Sequence, residues 1–153
     1  MARYLMGIDN GGTVIKAALY RLDGKEIAVA SQHTPVFSPQ PGYQQRDMEE
    51  VWQKNCACIR QGLKQAAISP EEVTALAVCG HGKGLYLWGK DGRPAYPGIA
   101  STDNRAWAYP GRWKESGVFH QLYPQLCQQQ LACQPSALLA WLKEHEPAVY
   151  QNI

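Results

Sequence analysis

Apolar residues fall in three short runs at the start of the chain: residues 3–9, Val14 to Tyr20, and Ile27-Ala28-Val29-Ala30. Gly11-Gly12 and Asp23-Gly24 separate them, so the pattern predicts an antiparallel meander of three strands joined by tight turns. Prolines at 35, 39 and 41 make Thr34 to Gly42 a loop. The period then changes. Asp47 opens a helix with Glu50 as its capping-box partner, and Met48, Val51, Trp52, Asn55, Cys56, Ile59, Leu63 and Ala66 recur at helical spacing. That stripe puts Cys56 on the core side and Cys58 away from it.

After the turn Ser69-Pro70-Glu71-Glu72 comes Val73 to Cys79, a nearly continuous apolar run. Such a run is expected of a parallel strand covered on both faces. It ends in Gly80-His81-Gly82-Lys83-Gly84. Leu85 to Trp88 resumes extended structure, and Lys90 to Pro94 turns it back. Beyond Thr102 the pattern is helical. Thr102 is placed to cap a helix through Ala106 and Trp107 that Pro110-Gly111 kinks or breaks. Trp113 and Phe119 continue a helical region. A last full helix starts near Pro135-Ser136, with Ser136 as N-cap, and runs through Leu142. Trp52, Trp107, Trp113 and Trp141 are expected to pack helices together. Meander, helix, buried parallel strand, helix is the opening of a ribonuclease-H-like α/β domain. Glu146 to Tyr150 begins one more helix just before Ile153, so the chain is expected to be an incomplete domain.

Composition narrows the classes. With 15 Lys and Arg against 13 Asp and Glu, the 153 residues carry a formal charge of +2. The cations are dispersed, which argues against nucleic acid and against an acidic membrane face as partners. No N-terminal leader pattern and no bilayer-length apolar stretch is present in the sequence. Five cysteines, an odd number, favour free thiols in a reducing compartment, and the expected location is the cytoplasm. Cys56-Ala57-Cys58 has the wrong separation for a zinc pair, and Cys79 with His81 has no second ligand pair.

The densest chemistry is Gly7-Ile8-Asp9-Asn10-Gly11-Gly12-Thr13-Val14-Ile15-Lys16. A strand that ends in Asp9 holds a carboxylate rigidly enough to bind Mg²⁺ directly or through water. Gly11 and Gly12 allow backbone N–H groups to approach phosphate oxygens. Thr13 adds a hydroxyl and Lys16 a point charge. The competing reading is a plain hairpin whose Asn10-Gly11 turn needs only positive φ.

These residues resemble the first phosphate motif of the FGGY family of carbohydrate kinases, in the actin-like ATPase and sugar-kinase superfamily. Three further stretches are similar to family motifs in the same order. They are Pro41-Gly42-Tyr43-Gln44-Gln45-Arg46-Asp47 through Trp52, Gly98-Ile99-Ala100-Ser101-Thr102-Asp103-Asn104-Arg105, and Leu138-Leu139-Ala140-Trp141-Leu142 through Pro147. Within the family the likeness is greatest to kinases that act on L-xylulose. The resemblance implies ATP and Mg²⁺ as cofactors and a sugar, a ketopentose such as L-xylulose, as phosphoryl acceptor. It assigns Asp9, Gly11, Gly12, Thr13 and Lys16 to metal and phosphate, and His81, Gly82, Lys83, Ser101 and Asp103 to the sugar. His81-Gly82-Lys83 departs from the family's usual residues at that turn, and Ser101 stands where glycerol kinases place Trp, which disfavours glycerol. Asp103 has two readings: acceptor from sugar hydroxyls, or partner of Arg105. The family's general-base Asp and its adenosine-binding domain are expected beyond Ile153. The chain alone is therefore expected to be inactive, either a non-catalytic sugar- or phosphate-binding module or a truncated fragment whose open sheet edge aggregates or pairs with itself, a homodimer being one outcome.

Overall fold

The computed structural model describes residues 4–153. The first strand was expected from Arg3, which lies outside the described residues. In chain order the elements are β1 (Tyr4–Asn10), β2 (Val14–Arg21), β3 (Glu26–His33), β4 (Gln45–Arg46), α1 (Met48–Ala66), β5 (Val73–Gly80), β6 (Gly98–Ile99), α2 (Ala108–Glu115), α3 (Val118–Leu126), α4 (Pro135–His145) and α5 (Pro147–Asn152). They divide into two compact units, residues up to Pro35 with Met48–His81, and Val36–Asp47 with Gly82–Ile153.

In the first unit the sheet order is β3-β2-β1-β5, with β1 antiparallel to β2 and parallel to β5. The expected meander is there, its β2–β3 turn closed by Gly24 at φ +85°. Alternation turns Met6, Ile8, Ile15, Ala17 and Leu19 inward, and α1 lies over β2 and β3 on that side.

Three expectations change here. The buried residues of α1 are Val51, Cys58 and Gly62, so Cys58 rather than Cys56 faces the core, its thiol within 3.6 Å of the Ile15 carbonyl oxygen. Small side chains at 58 and 62 let the helix lie close on the strands. Trp52, about 100° round the helix from Val51, is 64% exposed. The third change is β5. Among the described residues it is the last strand of the sheet, beside β1, and α1 lies over β2 and β3. Leu76 and Val78 are therefore 60% and 64% exposed, and the expected cover on both faces is not present among the described residues.

In the second unit β4 and β6 form a two-stranded antiparallel sheet, extended by bridges from Phe37 to Gln45 and from Leu85 to Ile99. Ile99, Ala106, Tyr109, Leu138, Trp141 and Leu142 make its core. Residues 101–107 are turns rather than the expected helix. α2 starts only at Ala108, which puts Pro110 in the first helical turn, where a missing N–H costs no hydrogen bond. Trp107 is left 70% exposed. Gly117, at φ +80°, separates α2 from α3. Gln134 precedes α4 as its cap residue, so Ser136 lies inside the helix. Among the described residues no helix is long and apolar enough to cross a membrane.

Candidate functional site

In the first unit, the β1–β2 turn and the end of β5 place the predicted phosphate residues together with His81. Asp9 is opposite Lys16 on β2 and opposite Cys79 on β5. Its carboxylate is half-buried, with the Cys79 thiol 3.8 Å from Oδ1. Asp9, Lys16 and Cys79 line a cavity of about 380 Å³ on the open side of the sheet, floored by Gly7, Ala18 and Ala77. The small floor residues leave the carboxylate reachable.

Neither Gly11 nor Gly12 has positive φ, so the hairpin forms without the turn that Asn10-Gly11 suggested. Space explains Gly11 instead. A Cβ there would lie 2.5 Å from the Val14 carbonyl oxygen. A Cβ on Gly12 would approach the His81 ring at 3.8 Å. The backbone N–H of His81 donates to the Asn10 carbonyl oxygen at 3.4 Å, and its Nδ1 lies 3.4 Å from the same oxygen. Thr13 is exposed, and its carbonyl accepts from the Thr34 N–H at 2.9 Å. The sequence reading missed Asn10. Its side-chain Oδ1 is buried with no hydrogen-bond partner among the described residues, which makes it an acceptor beside the turn. Its place between Asp9 and Gly11 was the available signal.

In the second unit, Gly82, Lys83 and Ser101 belong to two loops pressed together. Gly84 has φ +73°, and a Cβ on it would lie 2.5 Å from the Ile99 carbonyl oxygen and 3.2 Å from the Ser101 nitrogen. Its N–H donates to the Cys133 carbonyl at 2.7 Å, and Leu85 exchanges backbone bonds with Ile99. Lys83 itself is left-handed at φ +66°, uncommon for a residue with a side chain, and is exposed. Strain of that kind is a feature of ligand-contacting loops.

Asp103 is paired with Arg105, the contact named in one of its two readings. It is 2% exposed and binds Arg105 through both oxygens, at 2.9 Å to Nε and 2.9 Å to NH2. It also accepts from the Gln44 N–H at 2.6 Å and the Arg105 N–H at 2.9 Å. A sugar hydroxyl would have to displace one of these bonds. The Arg105 guanidinium lies 4.1 Å from the Tyr43 ring centre and 5.2 Å from that of Trp141. With its amide oxygen turned toward Arg105, Gln45 accepts at 3.1 and 3.2 Å. Charge pairing and ring faces together offset the cost of burying the cation. The cluster fixes the backbone on either side of Ser101, and Ser101 is half-buried next to Gly84.

Comparison with known proteins places these observations. The profile of the FGGY family of carbohydrate kinases, N-terminal domain, matches residues 4–153. The chain is 41% identical over 150 residues to a probable L-xylulose kinase of Pasteurella multocida, a match covering 98% of this chain and 31% of that protein. It is 40% identical over 153 residues to the L-xylulose/3-keto-L-gulonate kinase of Escherichia coli, covering 100% of this chain and 31% of that one. Among solved structures it is similar to a gluconate kinase from Lactobacillus acidophilus, with TM-score 0.91, 23% identity, 99% of this chain and 30% of the other. A xylulose kinase from Rhodospirillum rubrum superimposes with TM-score 0.88 at 25% identity, covering 99% of this chain and 31% of that one. The chain thus spans about a third of the length of the curated relatives it matches. The α/β fold is the ribonuclease-H-like, actin-like fold of sugar kinases, represented by its N-terminal part.

Proposed function

The chain belongs to the FGGY family of carbohydrate kinases, and we propose that it supplies the phosphate- and sugar-binding front of a kinase passing the γ-phosphate of ATP to a hydroxyl of a ketopentose such as L-xylulose. The observation that carries this reading is the pairing of a half-buried Asp9 with a Gly-Gly turn too crowded for a side chain at Gly11, in a chain 40% identical to an L-xylulose/3-keto-L-gulonate kinase.

The residues fit Mg²⁺ only in the company of phosphate. No group of three acidic, His or Cys side chains able to hold a metal exists among the described residues. Mg²⁺ is commonly held by one or two carboxylates, several waters and substrate phosphate oxygens, and Asp9 supplies such a carboxylate. When bound, Mg²⁺ neutralises charge on the phosphates. Asp9 would hold the metal through its carboxylate, the N–H groups of Gly11, Gly12 and Thr13 would donate to phosphate oxygens, and Lys16 would add a cation. These are positioning and electrostatic contributions, the kind on which phosphoryl transfer depends.

On the sugar side Gly82, Lys83 and Ser101 of the second unit donate to or accept from hydroxyls. Asp103 acts through the backbone it holds. With Asp9 committed to metal and Asp103 to Arg105, neither of these site carboxylates serves as a base in this reading. The 153-residue chain is expected to bind both ligands weakly and to release no ADP.

Amide chemical shifts of the labelled chain test this. Mg-ATP is expected to move Gly11, Gly12 and Thr13, and L-xylulose to move Gly82, Gly84 and Ser101. D-xylulose and 3-keto-L-gulonate serve as competitors and glycerol as the poor ligand. Shifts confined to other residues at millimolar ligand would overturn the reading, and so would glycerol acting as well as L-xylulose.

A further inference from the structure

Thr13 ends the turn between β1 and β2, and its backbone is held from outside that turn. The Thr34 N–H donates to the Thr13 carbonyl oxygen at 2.9 Å, and Thr34 is 4% exposed, so the bond is shielded from water. The start of the turn has a longer tie, from the His81 N–H to the Asn10 carbonyl oxygen at 3.4 Å. Distance makes the Thr34 bond the firmer of the two. The next residue, Val14, has its carbonyl oxygen so close to Gly11 that no Cβ fits there. A displacement at Thr13 is therefore passed to the whole glycine turn.

Alternation sets where the neighbouring groups point. Thr13 and Thr34 bond to each other, so at the next pair, Val14 with His33, the backbone groups of His33 face away from β2. The His33 carbonyl is met there by α1, whose Lys54 ammonium donates to it. Glu50, one helical turn earlier, lies 3.0 Å from the same ammonium. Val51 and Cys58, three residues before Lys54 and four after it, are buried against the sheet. Lys54 thus leaves the helix from its packed side, with its stem held in place.

The His33 carbonyl and the Thr34 N–H belong to one peptide group. That group is planar and trans, so the two dipoles point in opposite directions from one rigid plate. Lys54 holds the plate by its oxygen, and Thr13 receives its N–H. We propose that Lys54 is a positioning residue for phosphate binding, acting through this peptide, a role that rests on the kinase reading above. The ammonium fixes the plate and draws electron density toward the carbonyl oxygen, which makes the opposite N–H a better donor to Thr13. Lys54 acts in this way without touching the nucleotide.

Calorimetric titration of the 153-residue chain with Mg-ATP, beside amide exchange of the labelled chain, tests the role. Lys54→Met keeps the stem and removes the charge. It is expected to weaken Mg-ATP binding about three- to tenfold, within the worth of one hydrogen bond, and to leave L-xylulose affinity unchanged. Exchange should quicken at the Thr34 amide more than at those of Ala17 and Ala30, which face each other further along the same ladder. Lys54→Arg, able to donate to the same carbonyl, should restore most of both properties. Lys64→Met, an exposed lysine in the last turn of α1, should change neither. Unaltered Mg-ATP affinity in Lys54→Met would overturn the proposal. So would exchange rising equally at Thr34, Ala17 and Ala30, which is the mark of lost stability alone. A parent chain that binds no Mg-ATP would overturn the kinase reading and this role with it, whereas a parent and a Lys54→Met chain that bind equally well overturn only the role.

Discussion

A methyl group on Gly11 would have to share space with the Val14 carbonyl oxygen, 2.5 Å away. Backbone cannot swing aside as a side chain can, so the β1–β2 turn itself would shift. Gly11→Ala is expected to cost about 1–3 kcal/mol, the usual range for overpacking. Gly12→Ala meets only the His81 ring at 3.8 Å, an ordinary contact, and should be nearly neutral in stability. Urea unfolding of the two variants beside the parent checks the difference. Equal losses would mean that the turn is strained for some reason other than this contact. The pair also separates two kinds of glycine that look alike in sequence. Neither needs positive φ, and only the packing around each distinguishes them.

At the scale of elements, α2 and α4 are tied by Tyr109, whose hydroxyl donates to Glu144 at 2.5 Å, with Arg112 3.7 Å from the same carboxylate oxygen. The Tyr109 hydrogen bond is the main cause holding the Glu144 carboxyl below its ordinary 4.5, against burial, which is the next largest effect, and with lesser help from Arg112 and His145. A lowered folded-state value means that the unfolded chain takes up the proton first as acid is added. The stability from this tie is therefore fully present above the ordinary Glu value and is lost as pH falls through the lowered one. In Tyr109→Phe that part of the acid slope should flatten, while the curves at neutral pH differ by a constant offset. Chemical denaturation of both proteins from neutral to acidic pH reads the slopes, and parallel slopes would assign the acid sensitivity elsewhere.

The same scale shows what the sequence made legible. β1, β2, β3 and α1 were readable because each is specified within its own window, by alternation, a turn or helical spacing. The face of α1 was readable in part: Val51, Ile59, Leu63 and Ala66 of the apolar stripe pack against the core, whereas Trp52 turns outward. Met48, Trp52 and Cys56 fit the apolar period as well as Val51, Cys58 and Gly62 do, and only the closeness of the sheet favours the smaller set. β5 was read as doubly covered because its apolar run is the usual mark of a central strand. Its place at the end of the sheet among the described residues depends on strand order, which no local pattern contains.

Across the whole molecule the candidate phosphate residues were legible because they are contiguous in sequence, from Asp9 to Lys16. The role of Asp103 was not, since one of its partners, Gln44, lies 59 residues away. The cation it neutralises is held by rings from three separate segments, Tyr43, Tyr96 and Trp141. Contiguity also limits what the phosphate residues do alone. Asp9 is a single carboxylate, and the described residues hold no cluster of three metal-ligating side chains. Mg²⁺ gives up its water reluctantly and needs phosphate oxygens to complete such a site. Calorimetric titration of the chain with Mg²⁺ alone should therefore show no saturable heat. ATP should bind measurably more tightly with Mg²⁺ than without it, and Asp9→Asn should remove that difference while leaving metal-free ATP binding within a few-fold. Saturable binding of Mg²⁺ without nucleotide would require a second ligand set. An Asp9→Asn chain that keeps the Mg²⁺ advantage would place the metal's protein contact on another residue.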